Sequence, residues 1–346
     1  MTKIDLKSMT LEELQTAFNE NSIQKFRSKQ VHQWLVKGVE SFYDMKNIPK
    51  DLQAKLDEIY FISCCKIKLK RQSQVDETVK YLFELYDGQY IESVLMKYKH
   101  GYTLCISSQV GCKMGCTFCA TGMQGFTRNL LPSEILAQVT AAQNDLGQRI
   151  SNLVLMGMGE PLDNYENVMK FLKLVSSDDN LNIGMRHISL STCGIVDKIY
   201  DMADKKLQLT LSVSLHAPND EIRGKSMPVN KRWGVDELLK ACRYYSKQTG
   251  RRISFEYAMI NGVNDSSENA YELAQKLRGI LCHVNLIPVN SVAGTNYKKS
   301  KDKTLQNFIN ILENKGFTAT VRRTLGPDIE ASCGQLKGKM IQGEVK

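Results

Sequence analysis

The stretch Cys112-Lys-Met-Gly-Cys116-Thr-Phe-Cys119 decides the fold and the chemistry of this 346-residue chain. Its three thiols lie within eight residues, directly after a predicted strand. Thiolates are soft ligands that suit an iron–sulfur cluster or zinc. A structural zinc site needs four ligands, and the other candidates, Cys105 and His100, lie upstream of the motif. The spacing therefore predicts three ligands to a [4Fe–4S] cluster, with zinc as the alternative.

Strands and helices alternate through the chain around and after this motif. Short apolar runs predict the strands, and amphipathic segments between most of them predict helices. This alternation is typical of an α/β protein with a mainly parallel sheet, either open or closed into a barrel. In both arrangements the active site lies at the carboxyl ends of the strands. The predicted strands are Thr103–Ser107, Asn152–Met156, His187–Thr192, Gln208–Leu215, Ile253–Met259, His283–Pro288 and Thr318–Arg322.

The residues before this core show two other patterns. Residues 1–62 predict helices, the first of which begins with a capping box at Thr10-Leu11-Glu12-Glu13. Residues 63–99 carry short alternating runs, which predict a small β-extension or linker. We therefore expect a helical accessory domain, a β-extension and a core at residues 100–346 that ends in a catalytic loop.

The composition limits the class of protein. The 42% hydrophobic content is normal for a globular protein, no apolar run is long enough to span a bilayer, and the N-terminus lacks the apolar region of a signal peptide. We expect a cytoplasmic protein, whose ten cysteines are buried, metal-bound or catalytic rather than paired in structural disulfides. The net charge of +9 fits a polyanionic partner such as RNA without demonstrating one.

Further short motifs accompany the cysteine motif, in the order Cys105–Cys112, Ala120–Leu130, Met156–Asn164, Leu190–Gly194, Ser214–His216, Asn285–Asn290 and Asp328–Leu336. Together they resemble the RlmN/Cfr family of radical S-adenosylmethionine (SAM) RNA adenine methyltransferases, and the RlmN branch most closely. The resemblance covers essentially the whole chain. One departure is Ser332, where the family usually has alanine. The resemblance implies a radical SAM partial (βα)6 barrel with the helical domain and the β-extension in front of it.

The resemblance also implies the cofactors and their ligands. A [4Fe–4S] cluster is held by Cys112, Cys116 and Cys119, and its free iron binds the amino and carboxylate groups of SAM. Taken alone, Gly157-Met-Gly-Glu160 would be an ordinary tight turn, but in the family the matching residues bind SAM. The implied SAM contacts are Gly159, Glu160, Ser191, Ser214, Leu215, His216 and Asn290.

Two further cysteines match the catalytic cysteines of the family. The C2 carbon of adenine is electron-poor and does not attack a sulfonium, so the family consumes two SAM molecules per methylation. By resemblance, Cys333 becomes an S-methylcysteine, a 5′-deoxyadenosyl radical abstracts hydrogen from its methyl group, and the resulting methylene radical adds to the ring carbon. Cys105 then resolves the protein–RNA adduct and forms a transient disulfide with Cys333. Glu92 aligns with a family carboxylate regarded as a proton acceptor, although its strand pattern alone predicts a solvent-facing residue.

The implied function is methylation of C2 of adenine 2503 in 23S rRNA and of adenine 37 in tRNAs. The implied partners are these RNAs, with residues 1–62 as an RNA-binding domain, and an electron donor such as flavodoxin or ferredoxin; the chain is expected to be a monomer. Three alternatives remain, namely methylation at C8, a radical SAM activase that makes a glycyl radical, and a non-enzymatic RNA-binding zinc protein. The segment Gln124-Gly-Phe126, Val110 and Pro161 match the C2 branch better than the C8 branch.

Three basic groups are candidates for phosphate contacts. Lys97, Lys99 and His100 lie close in sequence to the first predicted strand of the core. Lys66, Lys68 and Lys70 alternate and therefore share one face of a strand, whereas Arg322 and Arg323 precede the Cys333 loop. A solvated charged face is an equally good interpretation of each group.

Overall fold

The computed structural model describes residues 3–289, 297–329 and 331. Its N-terminal part contains strand β1 (Ile4–Asp5), helices α1 (Leu11–Glu20), α2 (Lys25–Val36) and α3 (Lys50–Ile59), and strand β2 (Tyr60–Phe61), which pairs in parallel with β1. Helix α1 begins with the predicted capping box, because the Thr10 hydroxyl accepts the Glu13 N–H and the Glu13 carboxylate accepts the Thr10 N–H. Leu14 and Phe18 of α1 lie fully buried in a separate apolar cluster of this part.

The Asp5 carboxylate joins the N-terminal part to the rest of the molecule. It accepts hydrogen bonds from the backbone N–H of Ser63 and from the Ser133 hydroxyl, and Ser133 also donates its N–H to the Ser8 hydroxyl. Because the two hydrogen bonds to Asp5 are buried, they fix the N-terminal part against the body of the molecule.

Three antiparallel strands follow, β3 (Cys65–Gln72), β4 (Val79–Leu85) and β5 (Tyr90–Tyr98). The turn between β4 and β5 contains Gly88, whose φ of 76° is the left-handed conformation that glycine adopts readily. Strand β5 pairs antiparallel with the first strand of the core, so the three strands continue the central sheet.

The core begins with strand β6 (Gly101–Cys105) and a small antiparallel pair, β7 (Gln109–Gly111) and β8 (Phe126–Asn129), which flank the short helix α4 (Ala120–Met123). Strands and helices then alternate, which confirms the predicted α/β class. These elements are α5 (Pro132–Leu146), β9 (Ile150–Leu155), α6 (Tyr165–Ser176), β10 (Ile188–Thr192), α7 (Val196–Asp204), β11 (Thr210–Ser214), α8 (Asp220–Ser226), α9 (Val235–Thr249), β12 (Ile253–Met259), α10 (Ser267–Lys276), β13 (Cys282–Pro288), α11 (Asp302–Asn314) and β14 (Ala319–Val321).

The central sheet has ten strands in the order β14-β13-β12-β11-β10-β9-β6-β5-β4-β3. The strands from β6 to β14 in this sheet are parallel, as expected when helices connect them. On one face, apolar side chains such as Leu190, Leu211 and Phe255 pack in the main core with the helices. The alternate positions on the other face carry the polar residues of the cavity described below.

None of the helices in the described ranges is both long and apolar enough to cross a membrane.

Candidate active site

A cavity of about 390 Å³ lies at the carboxyl ends of the parallel strands, as predicted. Each strand supplies side chains from the face opposite the helices, since neighbouring residues of a strand point to opposite sides. Cys105 comes from β6, Ser191 from β10, Ser214 from β11 and Glu256 from β12. The sheet thus gathers residues that are far apart in the sequence into one site.

The loop that carries the cysteine motif covers one side of this cavity. Cys112, Cys116 and Cys119 all line it. The Cys112 N–H donates to the Gly125 carbonyl at 2.8 Å, which fixes the start of the loop on the β7–β8 pair. Gly111 has a φ of 81°, and a Cβ there would lie 2.1 Å from the same carbonyl oxygen. This close approach requires glycine.

Helix α8 holds the middle of the same loop. The Thr117 N–H, between two of the motif cysteines, donates to the Ser226 carbonyl at the end of α8, at 3.0 Å. Gly115 packs nearby, where a Cβ would lie 3.7 Å from the Pro228 ring. The loop is therefore fixed from two sides.

The donor set fits an iron–sulfur cluster. The three thiols face one cavity, and soft sulfur donors are the ligands that such clusters take. Burial raises the pKa of the Cys112 and Cys116 thiols to about 12, so that ionising them requires a strong positive centre such as iron. Within the described ranges, no group of three or more His, Cys, Asp or Glu side chains is arranged to hold a single metal ion.

Gly159 and Glu160 lie together at the cavity wall, as the resemblance implied. Gly159 has a φ of 99°, and a Cβ there would lie 2.5 Å from the Gln109 Cβ, so only glycine fits. The Glu160 carboxylate is buried and accepts the N–H groups of Leu162 at 3.0 Å and Cys193 at 2.7 Å. Burial raises its pKa, and these hydrogen bonds oppose the shift. The carboxylate is thus held rigidly at the edge of the cavity.

Only two of the three residues in the motif Ser214-Leu-His216 line the cavity. Ser214 and His216 line it, and so does Ser191 on the neighbouring strand. Leu215 is fully buried and does not line the cavity; its N–H donates to the Glu256 carbonyl at 3.1 Å. Asn290 lies outside the described residues.

The His216 side chain has a fixed orientation and charge. Its Nδ1 accepts the Ala258 N–H at 2.9 Å, which places the ring proton on Nε2. The Phe118 ring of the cysteine loop meets the imidazole edge-on, with 4.8 Å between ring centroids. Burial lowers the pKa of His216 to about 3, so that the ring is neutral. A neutral N–H donor is therefore available at the cavity.

Cys105 lies in the same cavity as the motif cysteines. It is buried in a small apolar cluster with Val94 and Met96, against which Leu325 and Ala331 pack. Ala331 also lines the cavity and is two positions before Cys333, which itself lies outside the described residues.

Glu92 is not solvent-facing, so that part of the sequence interpretation is wrong. Its side chain is fully buried, and its carboxylate forms an ion pair with Lys80 Nζ at 2.9 Å, also fully buried. The reason is that β5 lies inside the sheet with both faces covered, which alternation along one strand does not reveal. Glu92 is not among the residues of the cavity wall, although Val94 and Met96 on the same strand are.

The two arginines and the three strand lysines among the basic candidates differ in their surroundings. Arg322 and Arg323 line the cavity. The strand lysines instead face carboxylates of the protein, which reduces the positive charge they offer to phosphates. The pairs are Lys66 with Glu40 at 3.9 Å, Lys68 with Glu84 at 3.4 Å and Lys70 with Asp145 at 2.7 Å.

Two charged residues of the site were missed at the sequence level. Glu256 lines the cavity, and its carboxylate accepts hydrogen bonds from Ser254 and Asn285, both at 2.7 Å. Arg223 lies fully buried behind the cavity wall. The sequence does contain a signal for Glu256, because the alternation of apolar and polar residues along β12 places its carboxylate on the face opposite the core. No pattern in the sequence marks Arg223.

Two family models match the chain. Residues 4–62 match the ribosomal RNA large subunit methyltransferase N-terminal domain, and residues 106–274 match the radical SAM superfamily. Members of this superfamily use a [4Fe–4S] cluster and SAM, in agreement with the donor set of the cavity.

Similar proteins match over nearly their whole length. A probable dual-specificity RNA methyltransferase RlmN of Clostridium botulinum (strain Eklund 17B / Type B) is 54% identical over 333 residues, 96% of each chain. The protein of the same description from Clostridium novyi (strain NT) is 52% identical, over 98% of this chain and 99% of that one. The crystal structure of a radical SAM methyltransferase from Sphaerobacter thermophilus has a TM-score of 0.90 and 42% identity, and covers 96% of this chain and 98% of that chain. This chain therefore belongs to the RlmN family of radical SAM RNA methyltransferases.

Proposed function

We propose that this chain methylates C2 of adenine 2503 in 23S rRNA and of adenine 37 in tRNAs, through an S-methylcysteine at Cys333. One observation carries the proposal beyond family membership. Cys105 lies in the same cavity as the three motif cysteines, and it packs in a cluster with Ala331, two positions before Cys333. A site with only a radical-generating role would need neither cysteine.

The three motif cysteines are the proposed ligands of the cluster. Bound to Cys112, Cys116 and Cys119, the cluster supplies the electron that cleaves SAM reductively to a 5′-deoxyadenosyl radical. The loop places the three thiols on the wall of the cavity, and its hydrogen bonds to Gly125 and Ser226 fix its position. Two SAM molecules are consumed for each methyl group transferred.

The polar residues of the cavity wall are the proposed SAM contacts. Glu160 binds the ammonium group, because its carboxylate is already oriented by two backbone N–H groups and a charge-assisted hydrogen bond is strong in a buried site. Gly159 lets the backbone approach the ligand closely. The other proposed contacts are Ser191, Ser214, His216 through its Nε2 proton, Asn290, and the backbone of Leu215.

The transfer itself belongs to Cys333, Cys105 and Glu92. The S-methyl group of Cys333 gives a hydrogen atom to the 5′-deoxyadenosyl radical, and the resulting methylene carbon bonds to C2 of the adenine while still attached to the sulfur. The odd electron of this adduct would return to the oxidised cluster, and Cys105 takes the ring proton. A Cys105 thiolate then attacks the Cys333 sulfur; the S–S bond forms as the C–S bond breaks, and the methylene carbon keeps that electron pair and takes up a proton, which releases the methylated RNA. Glu92 is the second candidate proton acceptor and ranks below Cys105, because it does not line the cavity and its carboxylate is paired with Lys80.

The proposed partners follow from this chemistry. The substrates are 23S rRNA and tRNA, whose target base must be unstacked from a loop to enter the cavity. Residues 1–62 form the proposed RNA-binding domain, residues 63–99 the β-extension and residues 100–346 the catalytic core. Flavodoxin or ferredoxin is the proposed electron donor to a monomeric, cytoplasmic enzyme.

The position of the new methyl group tests this function. RNA from cells that lack the chain, and from the same cells after the chain is expressed, is digested to nucleosides and analysed by mass spectrometry. We expect 2-methyladenosine only in the second sample, in both rRNA and tRNA. Finding 8-methyladenosine as the main product would assign the chain to C8 chemistry, and finding neither would reject the proposal.

A further inference from the structure

Arg223 in α8 is a buried cation without a buried anion beside it. Its side chain is fully buried, and no carboxylate lies within ion-pair distance of it in the described parts of the chain. An arginine in such a place is costly, because a charge taken out of water needs a compensating charge or a complete set of hydrogen bonds. We therefore expect Arg223 to have a role that offsets the free-energy cost of burying its charge.

The hydrogen bonds of Arg223 go only to neutral oxygens. Nε donates to the Leu215 carbonyl at 3.1 Å, and one terminal nitrogen donates to the carbonyls of Cys193 at 2.6 Å and Ser214 at 3.1 Å. The other terminal nitrogen donates to Asn230 Oδ1 at 3.1 Å. These bonds engage four of the five N–H groups of the guanidinium, and none of them places a carboxylate against the charge. Burial accordingly lowers the pKa of Arg223.

The groups that face this charge include the cysteine loop. Two of the residues that accept its hydrogen bonds, Cys193 and Ser214, line the cavity together with the three motif cysteines. The helix that carries Arg223 also binds the loop directly, through the Ser226 carbonyl and the Thr117 N–H.

Arg223 is not among the described residues that line the cavity, so we expect it to contact neither SAM nor RNA. It lies behind the ends of β10 and β11, which place Ser191 and Ser214 in the wall. Its influence on the reaction must therefore pass through the electric field or through the position of these strand ends.

We propose that Arg223 is the fixed counter-cation of the iron–sulfur cluster and raises its reduction potential. The inference rests on the proposed assignment of the cluster to Cys112, Cys116 and Cys119. A cubane with three thiolates is negatively charged, and one-electron reduction adds a further negative charge. A permanent cation in a dry environment stabilises the reduced state more than the oxidised one, and net charge is one of the factors that set the potential of such clusters.

A purely structural role makes a different prediction, and two substitutions separate the roles. Arg223→Gln removes the charge and keeps a donor, whereas Arg223→Lys keeps the charge and loses the planar fork of donors. A third variant, Asn230→Asp, leaves Arg223 in place and puts a carboxylate where Asn230 Oδ1 now accepts its hydrogen bond. It neutralises the charge with almost no change in shape.

The experiment is a reductive titration of the anaerobically reconstituted full-length protein, followed by electron paramagnetic resonance of the reduced cluster. Iron and sulfide are counted in each sample first. We expect Arg223→Gln and Asn230→Asp to shift the midpoint potential to more negative values, and Arg223→Lys to stay close to the wild type. Lys225→Gln is the control on the same helix; Lys225 is a solvent-exposed cation paired with Glu221, so the potential should not move.

The outcomes distinguish this inference from the proposed function. A wild-type chain that binds no iron and sulfide would overturn both. A wild-type cluster whose potential is unchanged in Arg223→Gln and Asn230→Asp would overturn the counter-cation role alone. Equal shifts in Arg223→Lys and Arg223→Gln, with none in Asn230→Asp, would show a structural clamp instead. If Arg223→Gln assembles no cluster, Asn230→Asp decides the question.

Discussion

At the scale of single residues, Cys105 and Cys333 have different tasks in the proposed reaction, so their alanine variants should fail at different steps. Cys333→Ala should bind SAM and the cluster but transfer no carbon, because the attachment point is gone. Cys105→Ala should stop after the carbon–carbon bond has formed, with RNA covalently joined to Cys333. A denaturing gel should show a nuclease-sensitive shifted band only for Cys105→Ala.

The matched control is Cys64→Ala, since Cys64 is not among the residues of the cavity wall. It should leave both turnover and cluster content unchanged. Normal turnover by Cys105→Ala, or a shifted band from Cys333→Ala, would contradict the assigned roles.

Single residues also show where sequence reasoning succeeds. The cysteine motif was recognisable because its chemistry lies within one loop, and the cavity contains all three of its cysteines. The burial of Glu92 was not predictable, because it depends on what covers the second face of β5. Arg223 was not predictable either, because its acceptors come from the ends of two other strands.

At the scale of elements, the turn between β3 and β4 holds the segment that leads to Cys333. The Ser73 hydroxyl and the Gln74 N–H donate to the Asp328 carboxylate at 2.6 and 2.7 Å. The Asp76 carboxylate accepts the Gly326 N–H at 2.9 Å. The hydrogen bond from Ser73, followed by that from Gln74, lowers the pKa of Asp328.

This contact should depend on pH and on the charge of Asp328. The pKa of Asp328 is lower when the segment is docked on the turn than when the segment is free. The contact is therefore strongest above pH 3.8, the ordinary pKa of the carboxyl group, and it weakens as the pH falls through the lower pKa of the docked state. Asp328→Asn should therefore increase amide hydrogen exchange in residues 322–329 several-fold at neutral pH. Near pH 3 the difference from the wild type should shrink.

A suitable control is Asp57→Asn, which removes an exposed carboxylate on α3 that pairs with Lys3 at 3.8 Å. It should not change exchange in residues 322–329. Equal exchange in Asp328→Asn and the wild type at neutral pH would mean that the turn does not hold the segment.

The elements themselves were largely predictable. Ile253–Met259 was predicted with its observed bounds, because apolar residues alternate with Ser254 and Glu256 between clear helices. The other predicted strands of the core differ from the observed ones by at most two residues at either end. The union of the β-extension with the core sheet was not predictable, because strand pairing depends on contacts between β5 and β6 that no local pattern specifies.

At the scale of the whole molecule, the net charge of +9 predicts binding to RNA that weakens with salt. Arg322 and Arg323 line the cavity, so we expect these two cations to contact the RNA phosphates. Replacing Arg322 and Arg323 by alanine should reduce the slope of log K against log salt by roughly 0.7 for each lost phosphate contact on single-stranded RNA. The slope is measured by fluorescence anisotropy with a labelled RNA loop at several salt concentrations.

The comparison variant replaces Lys66, Lys68 and Lys70 by alanine. Because each of these lysines faces a carboxylate of the protein, the slope should change little. A larger loss of slope in the lysine variant than in the arginine variant would move the RNA contact to the strand face.

The contact between Ser73 and Asp328 joins positions 255 residues apart, and it links the two edges of the sheet, since β3 and β14 are its outermost strands. Such a contact forms only after nearly the whole chain has left the ribosome, whereas β3, β4 and β5 pair with near neighbours in sequence. The segment that leads to Cys333 is therefore positioned last during synthesis. A chain released between residues 322 and 327 would keep all the described strands of the sheet but lack both this contact and Cys333, so in the proposed reaction we expect it to transfer no methyl group.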